Sequence, residues 1–312
     1  MRFLVVGAGA IGGYFGGRLL EAGCDVTFLV RPPRAERLAV TGLTITSPAG
    51  NVTFRSPPTV LAVGLRKPFD AVILSCKAYD LDGAIESFAP AVGPVTAVVP
   101  LLNGMRHLDA LDGRFGADRV LGGSCFISAK LDAGGHISHV SDIHRLTFGE
   151  RARGRSPRVE ALAAAMVGAK FEAVTSDQIL LVMWEKWVFL ASLAGLTCLA
   201  RAAVGDIVAA GGADLAAALL DECRAIAAAA GYSPRADELR SSLARLTDPG
   251  SAVSASMLGD IERRTRTEAD HVLGDFLRRR GGAPPGDRSL LRVAYVALKA
   301  AEARASRESG AT

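Results

Sequence analysis

An apolar run that breaks directly into glycines opens this chain: Arg2-Phe-Leu-Val-Val is followed by Gly7-Ala8-Gly9-Ala10-Ile11-Gly12, the pattern G-x-G-x-x-G. Few folds accept such a junction. Gly7 permits a tight strand-to-helix turn, Gly9 lets the main chain approach a pyrophosphate, and Gly12 lets the following helix pack closely on the strand. The free N–H groups and positive end of that helix then favour phosphate. Phe3 to Val6 reads as a buried strand, Tyr14 to Ala22 as the helix, and Asp25 to Val30 as a second, parallel strand. The stretch therefore predicts a dinucleotide site on residues 7–12. A secretory leader is the competing reading, and the glycines, Arg18 and Glu21 argue against it.

A chain of 312 residues, 49% apolar and 22% charged, suits two globular domains rather than one. Up to about Val174, β-rich runs alternate with helical ones: Phe69 to Cys76, Thr96 to Leu101, Arg119 to Ser128 and Arg145 to Gly149 read as strands. After Thr175 alanine-rich helical periods take over, in 178–200, 213–230, 254–264, 267–280 and 289–304. Gly231, Pro249-Gly250 and the glycines of 281–286 separate them, and the chain beyond Arg304 reads as a tail. The expected fold class is α/β: an N-terminal Rossmann-type, doubly wound sheet over 1–175 with an all-helical C-terminal domain over 176–312.

The formal net charge of +4 is small for this length, and its basic clusters, Arg31-Arg34-Arg37 and Arg263-Arg264-Arg266, are local. They argue for a phosphate-bearing small ligand and against nucleic acid. Five cysteines without a C-x-x-C pair read as reduced thiols of a cytoplasmic protein. His136, His139 and His144 lie on an alternating, strand-like stretch without metal-ligand spacing, so no metal is expected and they read as surface and strand-end histidines. The charge-free segment from Trp187 to Ala200 is shorter than the ~20 residues a bilayer helix needs and reads as a buried helix, so no membrane is expected. The apolar helices over 178–230 would serve a homodimer face or the second domain's own core.

The second strand ends in Leu29-Val30-Arg31, where a site for NAD usually carries an acid that binds the ribose 2′-hydroxyl. Arg31, with Arg34 behind it, would pair instead with a 2′-phosphate, which predicts NADP(H) as cofactor. The alternative is that both arginines are solvated on a loop. Lys77, after the strand that ends at Cys76, sits where ligands of doubly wound folds bind. Asn103 ends another apolar strand, in Val99-Pro-Leu-Leu-Asn103-Gly104-Met105.

Together with Lys186 in W-E-K-W, Ser256-Met257-Leu258-Gly259-Asp260 and Thr267-Glu268, these motifs resemble the ketopantoate reductase (2-dehydropantoate 2-reductase) family over nearly the whole chain. The resemblance implies NADPH-dependent reduction of a 2-oxo acid, ketopantoate to pantoate in pantothenate biosynthesis, in a cleft between the two domains. It also implies that Lys186 and Glu268 are catalytic, that Asn103 and Ser256 bind substrate, and that Asn103, Glu268, Lys77 and the main chain at Ala129 contact cofactor. The chemistry agrees with these roles, because hydride arriving at a ketone leaves negative charge on its oxygen and a charged lysine can share a proton with it. By residue type alone, Lys186 would be a snorkelling lysine and Glu268 an ordinary acid at a helix start. An unbroken helix would hold Ser256 and Glu268 ~18 Å apart. The polar run 263–266 and an N-cap at Thr267 predict a break.

The chain departs from the family where that family places asparagines for the substrate's carboxylate and hydroxyl: here stand Leu190, Ala194 and Val204. Lys186, Leu190 and Ala194 share one helical stripe, so the wall beside the acid becomes apolar. Three readings stay open: a larger or more apolar ketone or 2-oxo acid, an imine, and a non-catalytic NADP(H)-binding sensor.

Overall fold

The computed structural model describes residues 1–280 and 288–309. The chain divides into two units, Met1–Leu102 with His107–Ile179, and Asn103–Arg106 with the residues from Leu180 onward. In the first run β1 (Arg2–Val6), α1 (Ala10–Glu21), β2 (Asp25–Leu29), α2 (Pro32–Thr41), β3 (Leu43–Thr46), β4 (Val52–Phe54) and β5 (Thr59–Val60). They are followed by β6 (Ala71–Leu74), α3 (Leu81–Phe88), β7 (Ala97–Pro100), α4 (Arg106–Phe115), β8 (Gly122–Leu131), β9 (Ile137–Gly149), α5 (Pro157–Ala165) and β10 (Glu172–Thr175).

The expected parallel sheet is present, in the order β5-β2-β1-β6-β7. Every residue of β6 and of β7 at the end of the sheet is buried, as parallel strands covered on both faces require. A second, mixed sheet in the order β10-β9-β3-β4, with β8 antiparallel to β9, was not anticipated. The reason both sheets form around one helix lies in the glycines of α1. A Cβ at Gly16 would meet the Phe28 ring of β2 at 2.6 Å, whereas at Gly13 and Gly17 it would meet Ile137 of β9 at 2.4 Å and Ile45 of β3 at 2.6 Å. Helical glycine costs roughly 0.5–1 kcal/mol relative to alanine. Here it lets a helix approach two sheets at once.

The second unit contains α6 (Ile179–Ala200), α7 (Val204–Ala209), α8 (Ala213–Ala229), α9 (Ala236–Leu246), α10 (Ser256–Glu262), α11 (Asp275–Arg279) and α12 (Leu290–Ser309). The apolar segment at Trp187 thus belongs to a 22-residue helix, long and apolar enough to cross a membrane, yet most of its apolar stretch is buried inside the protein. Trp184, Trp187, Tyr232 and Phe276 pack around it, with Trp187 and Phe276 ring centroids 4.3 Å apart. Three expectations need correction. The helices α7 and α9 were missed, α12 continues through Ser309 where a tail was expected, and 267–280 is not one α-helix: Asp270–Gly274 is a π turn that passes into α11. The indole N–H of Trp187 donates to the Val272 carbonyl at 2.9 Å. A side chain that inserts into the helix hydrogen-bond ladder is a recognised cause of a kink. The expected breaker glycines of 281–286 lie outside the described residues.

Candidate functional site

The glycine turn has the geometry its sequence implies. Gly7 holds φ +92°, which only glycine adopts without strain. At Gly12 a Cβ would stand 2.1 Å from Ser75 Oγ and 2.2 Å from the Gly7 carbonyl oxygen, so the helix sits directly on the strand crossing. At Gly9 a Cβ would meet nothing within 4 Å. The main chain there is open to a ligand, at the N-cap of α1 where no side chain caps the helix. These features fit a dinucleotide pyrophosphate laid against Gly7, Ala8, Gly9, Ala10, Ile11 and Gly12.

The arginines beyond β2 divide their tasks. Arg34 is half-buried, and its Nε donates to the Ala8 carbonyl at 3.0 Å while Nη2 reaches the Gly135 carbonyl at 3.4 Å. Arg37 Nη1 donates to the Ala133 carbonyl at 2.7 Å. Both therefore stitch the glycine turn and α2 to the β8–β9 turn. Arg31 keeps a largely exposed guanidinium, 3.0 Å from the Asp80 carboxylate. Lys77 is half-buried just beyond β6. Ala129 pairs with His139 next to a register irregularity in the β8–β9 ladder, a place where main-chain groups are released from pairing.

In the second unit, Lys186 lies half-buried on α6, with no ion pair among the described residues. Its neighbour Glu185, itself buried, is held by Arg235 through the main-chain N–H and Nε, both at 2.8 Å. Leu190, one turn on, is half-buried. Ala194 and Val204 are only 2% and 0% exposed, so their side chains belong to the unit's core. The Val204 N–H donates to the Val253 carbonyl at 3.0 Å, and Ala255 N–H donates to Thr197 Oγ1 at 3.1 Å. These bonds fix the segment leading to Ser256, which is exposed at the first position of α10.

The break between Ser256 and Glu268 is present. After Glu262 the chain turns through Arg264 at φ +56°, and the Thr265 N–H returns to the Asp260 carbonyl at 2.9 Å. Thr267 Oγ1 accepts from the Ala269 N–H at 3.2 Å and donates to Glu302 at 2.5 Å, anchoring the new start. Glu268 is 7% exposed, and its carbonyl accepts from the N–H groups of both His271 and Val272. Asn103 and Gly104 belong to this unit and lie against His271.

Two residues packed against the candidate segments escaped the sequence reading. His271 sits in a segment read only for Thr267 and Glu268. Trp187 was read only as part of W-E-K-W and as the start of an apolar helical segment, although a buried indole N–H needs an acceptor. His139 was read as a surface histidine, and it is 3% exposed, in a polar cluster with Ser47 and Ser141.

Known proteins share this plan. The family model described as "Ketopantoate reductase PanE/ApbA" matches residues 3–153, and its C-terminal counterpart matches 178–299. The chain is 41% identical over 280 residues to "Uncharacterized oxidoreductase YkpB" of Bacillus subtilis, covering 89% of this chain and 92% of that protein. It is 30% identical over 298 residues to a 2-dehydropantoate 2-reductase of Mesorhizobium japonicum, covering 88% and 89%. A crystal structure of 2-dehydropantoate 2-reductase from Geobacter metallireducens superposes with a TM-score of 0.86 at 28% identity, over 96% of this chain and all of that one.

Proposed function

Because this chain belongs to the ketopantoate reductase family, we propose that it is an NADPH-dependent reductase of a 2-oxo acid, with Lys186 as the proton donor. Members of the family are oxidoreductases acting on CH–OH groups. The observation that carries the reading is the environment of Lys186: a half-buried lysine without an ion pair among the described residues, on a helix that Trp187 ties to the segment carrying Glu268.

When bound, the reduced nicotinamide supplies hydride to the carbonyl carbon. The glycine turn receives the pyrophosphate, and Arg31 pairs with the 2′-phosphate. Lys186 donates a hydrogen bond to the substrate's carbonyl oxygen and transfers its proton as negative charge develops there. Glu268 orients the ammonium group, while Asn103 and Ser256 hold the substrate's polar end. Five cysteines, none in a disulfide among the described residues and three of them buried, support a reducing, cytoplasmic setting.

Leu190 favours a substrate other than ketopantoate. It extends the Lys186 stripe by one turn with a half-buried apolar side chain, which suits a 2-oxo acid with an apolar substituent. Sites built with hydrogen-bonding groups discriminate by ~10⁴ or more, and an apolar wall forgoes that selection. The test is to follow loss of NADPH absorbance with ketopantoate, 2-oxoisovalerate and phenylglyoxylate. Turnover with at least one is expected, and Lys186→Ala should lower kcat by about 10²–10⁴-fold with little change in NADPH affinity. NADPH binding without turnover of any 2-oxo acid would overturn the reading in favour of a sensor.

A further inference from the structure

His271 lies directly beneath the Asn103–Gly104 turn. It is 7% exposed and occupies the second position of the π turn that follows Glu268. Gly104, at φ +77°, presses so closely on it that a Cβ would stand 3.1 Å from the His271 carbonyl oxygen, 3.2 Å from ring Cδ2 and 3.4 Å from Nε2. The ring hydrogen-bonds the main chain of Asn103. Through its own main chain, His271 donates to the Glu268 carbonyl at 3.0 Å. One residue therefore touches both the turn that presents the Asn103 amide and the main chain that presents the Glu268 carboxylate.

The choice of imidazole has a physical basis. A planar ring fits under a glycine where a branched side chain would collide, and the single N–H of the uncharged ring can donate to main-chain oxygen. Burial holds its pKa below the ordinary imidazole value, opposed by the carboxylates of Glu268 and Asp275 and by the hydrogen bond to Asn103, and reinforced by the Arg106 guanidinium. The uncharged ring is thus the form compatible with this packing near neutral pH.

We propose that His271 is a positioning residue that clamps the Asn103–Gly104 turn onto the Glu268 segment, so that amide and carboxylate meet a substrate at a fixed separation. Its consequence for catalysis rests on the reductase reading above, whereas the clamp itself does not.

Hydrogen exchange of the cofactor-free protein tests the clamp. His271→Phe keeps the ring shape and loses the hydrogen bond, so exchange in the peptide containing Asn103 to Arg106 should accelerate about tenfold, while α6 and α8 exchange as in the wild type. His271→Asn, which restores a donor close to the main chain, should recover most of that protection. With any 2-oxo acid that is turned over, His271→Phe should lower kcat by about tenfold with a smaller change in KM, and His271→Asn should return part of it. Unchanged exchange at 103–106 in His271→Phe, or acceleration spread evenly over the second unit, would overturn the proposal. Absence of turnover by the wild-type protein would remove the reductase reading and leave the exchange result to decide the clamp.

Discussion

Arg31 and Arg34 stand three residues apart and face different chemistry. Arg34 is fixed by the Ala8 and Gly135 carbonyls, and burial, with Arg37 nearby, holds its guanidinium below the usual pKa. Arg31 reaches into solvent beside Asp80. A charge-assisted hydrogen bond is worth about 1.5–3 kcal/mol, so Arg31→Ala should weaken NADPH binding roughly 10–100-fold and leave NADH binding unchanged. Arg34→Ala should weaken both cofactors alike, because it releases the glycine turn they share. Fluorescence titration of each variant with each nucleotide decides the matter, and equal losses for Arg31→Ala would reject 2′-phosphate recognition. The sequence displayed the charge of both arginines. It could not display that a carbonyl 26 positions upstream already occupies one of them.

At the scale of elements, legibility follows the range of the interaction that builds each one. Strands β1, β6 and β7 are continuous apolar runs, and α6 is apolar along most of its length, so local composition identifies all four. Strands β3, β4 and β10 are three or four residues long and exist only through pairing with distant partners, which no local pattern encodes. Only β3 left a trace, and an indirect one, in Gly17, whose missing side chain admits Ile45. The π turn is likewise tertiary, since the indole that takes the Val272 carbonyl is 85 residues away. Trp187→Phe preserves ring packing and leaves that carbonyl without its donor. It should cost about 1–3 kcal/mol, read from urea melts, and should lower kcat by more than any change in KM, because Lys186 and Glu268 lose a shared reference. A melt indistinguishable from wild type would show that the bond does not hold the two segments together.

The whole molecule carries its acid sensitivity in histidines before carboxylates. In the first unit His139 and His144 stack with ring centroids 5.1 Å apart, Tyr14 Oη meets His144 Nδ1 at 2.6 Å, and Ser47 Oγ meets His139 Nδ1 at 2.9 Å. Burial and the neighbouring Arg18 guanidinium hold both imidazoles below the 6.5 of a free ring, despite Asp142 and Glu172 nearby, and burial does the same to His271 in the second unit. The unfolded chain therefore binds these protons first. The stability they contribute is complete above pH 6.5 and is lost as pH falls from there through the folded-state values. For Asp270 and Glu302, burial pushes the carboxyl pKa up, but hydrogen bonds from Lys299, joined by Tyr295 and Thr267 respectively, outweigh it and leave both below the usual range. Their contribution is present above the ordinary carboxylate range and is lost only as pH falls below it. Thermal midpoints should thus be level from about pH 8 to 7 and decline as pH falls below about 6.5, at about 2–4 °C per kcal/mol for a domain of this size, then fall more steeply below about 4.5. The double variant His139→Asn, His144→Asn should flatten the upper decline and leave the lower one intact. A wild-type midpoint that stays constant from pH 7.5 to 5 would mean that these imidazoles take up protons in the folded state without strain, and that burial does not govern their titration.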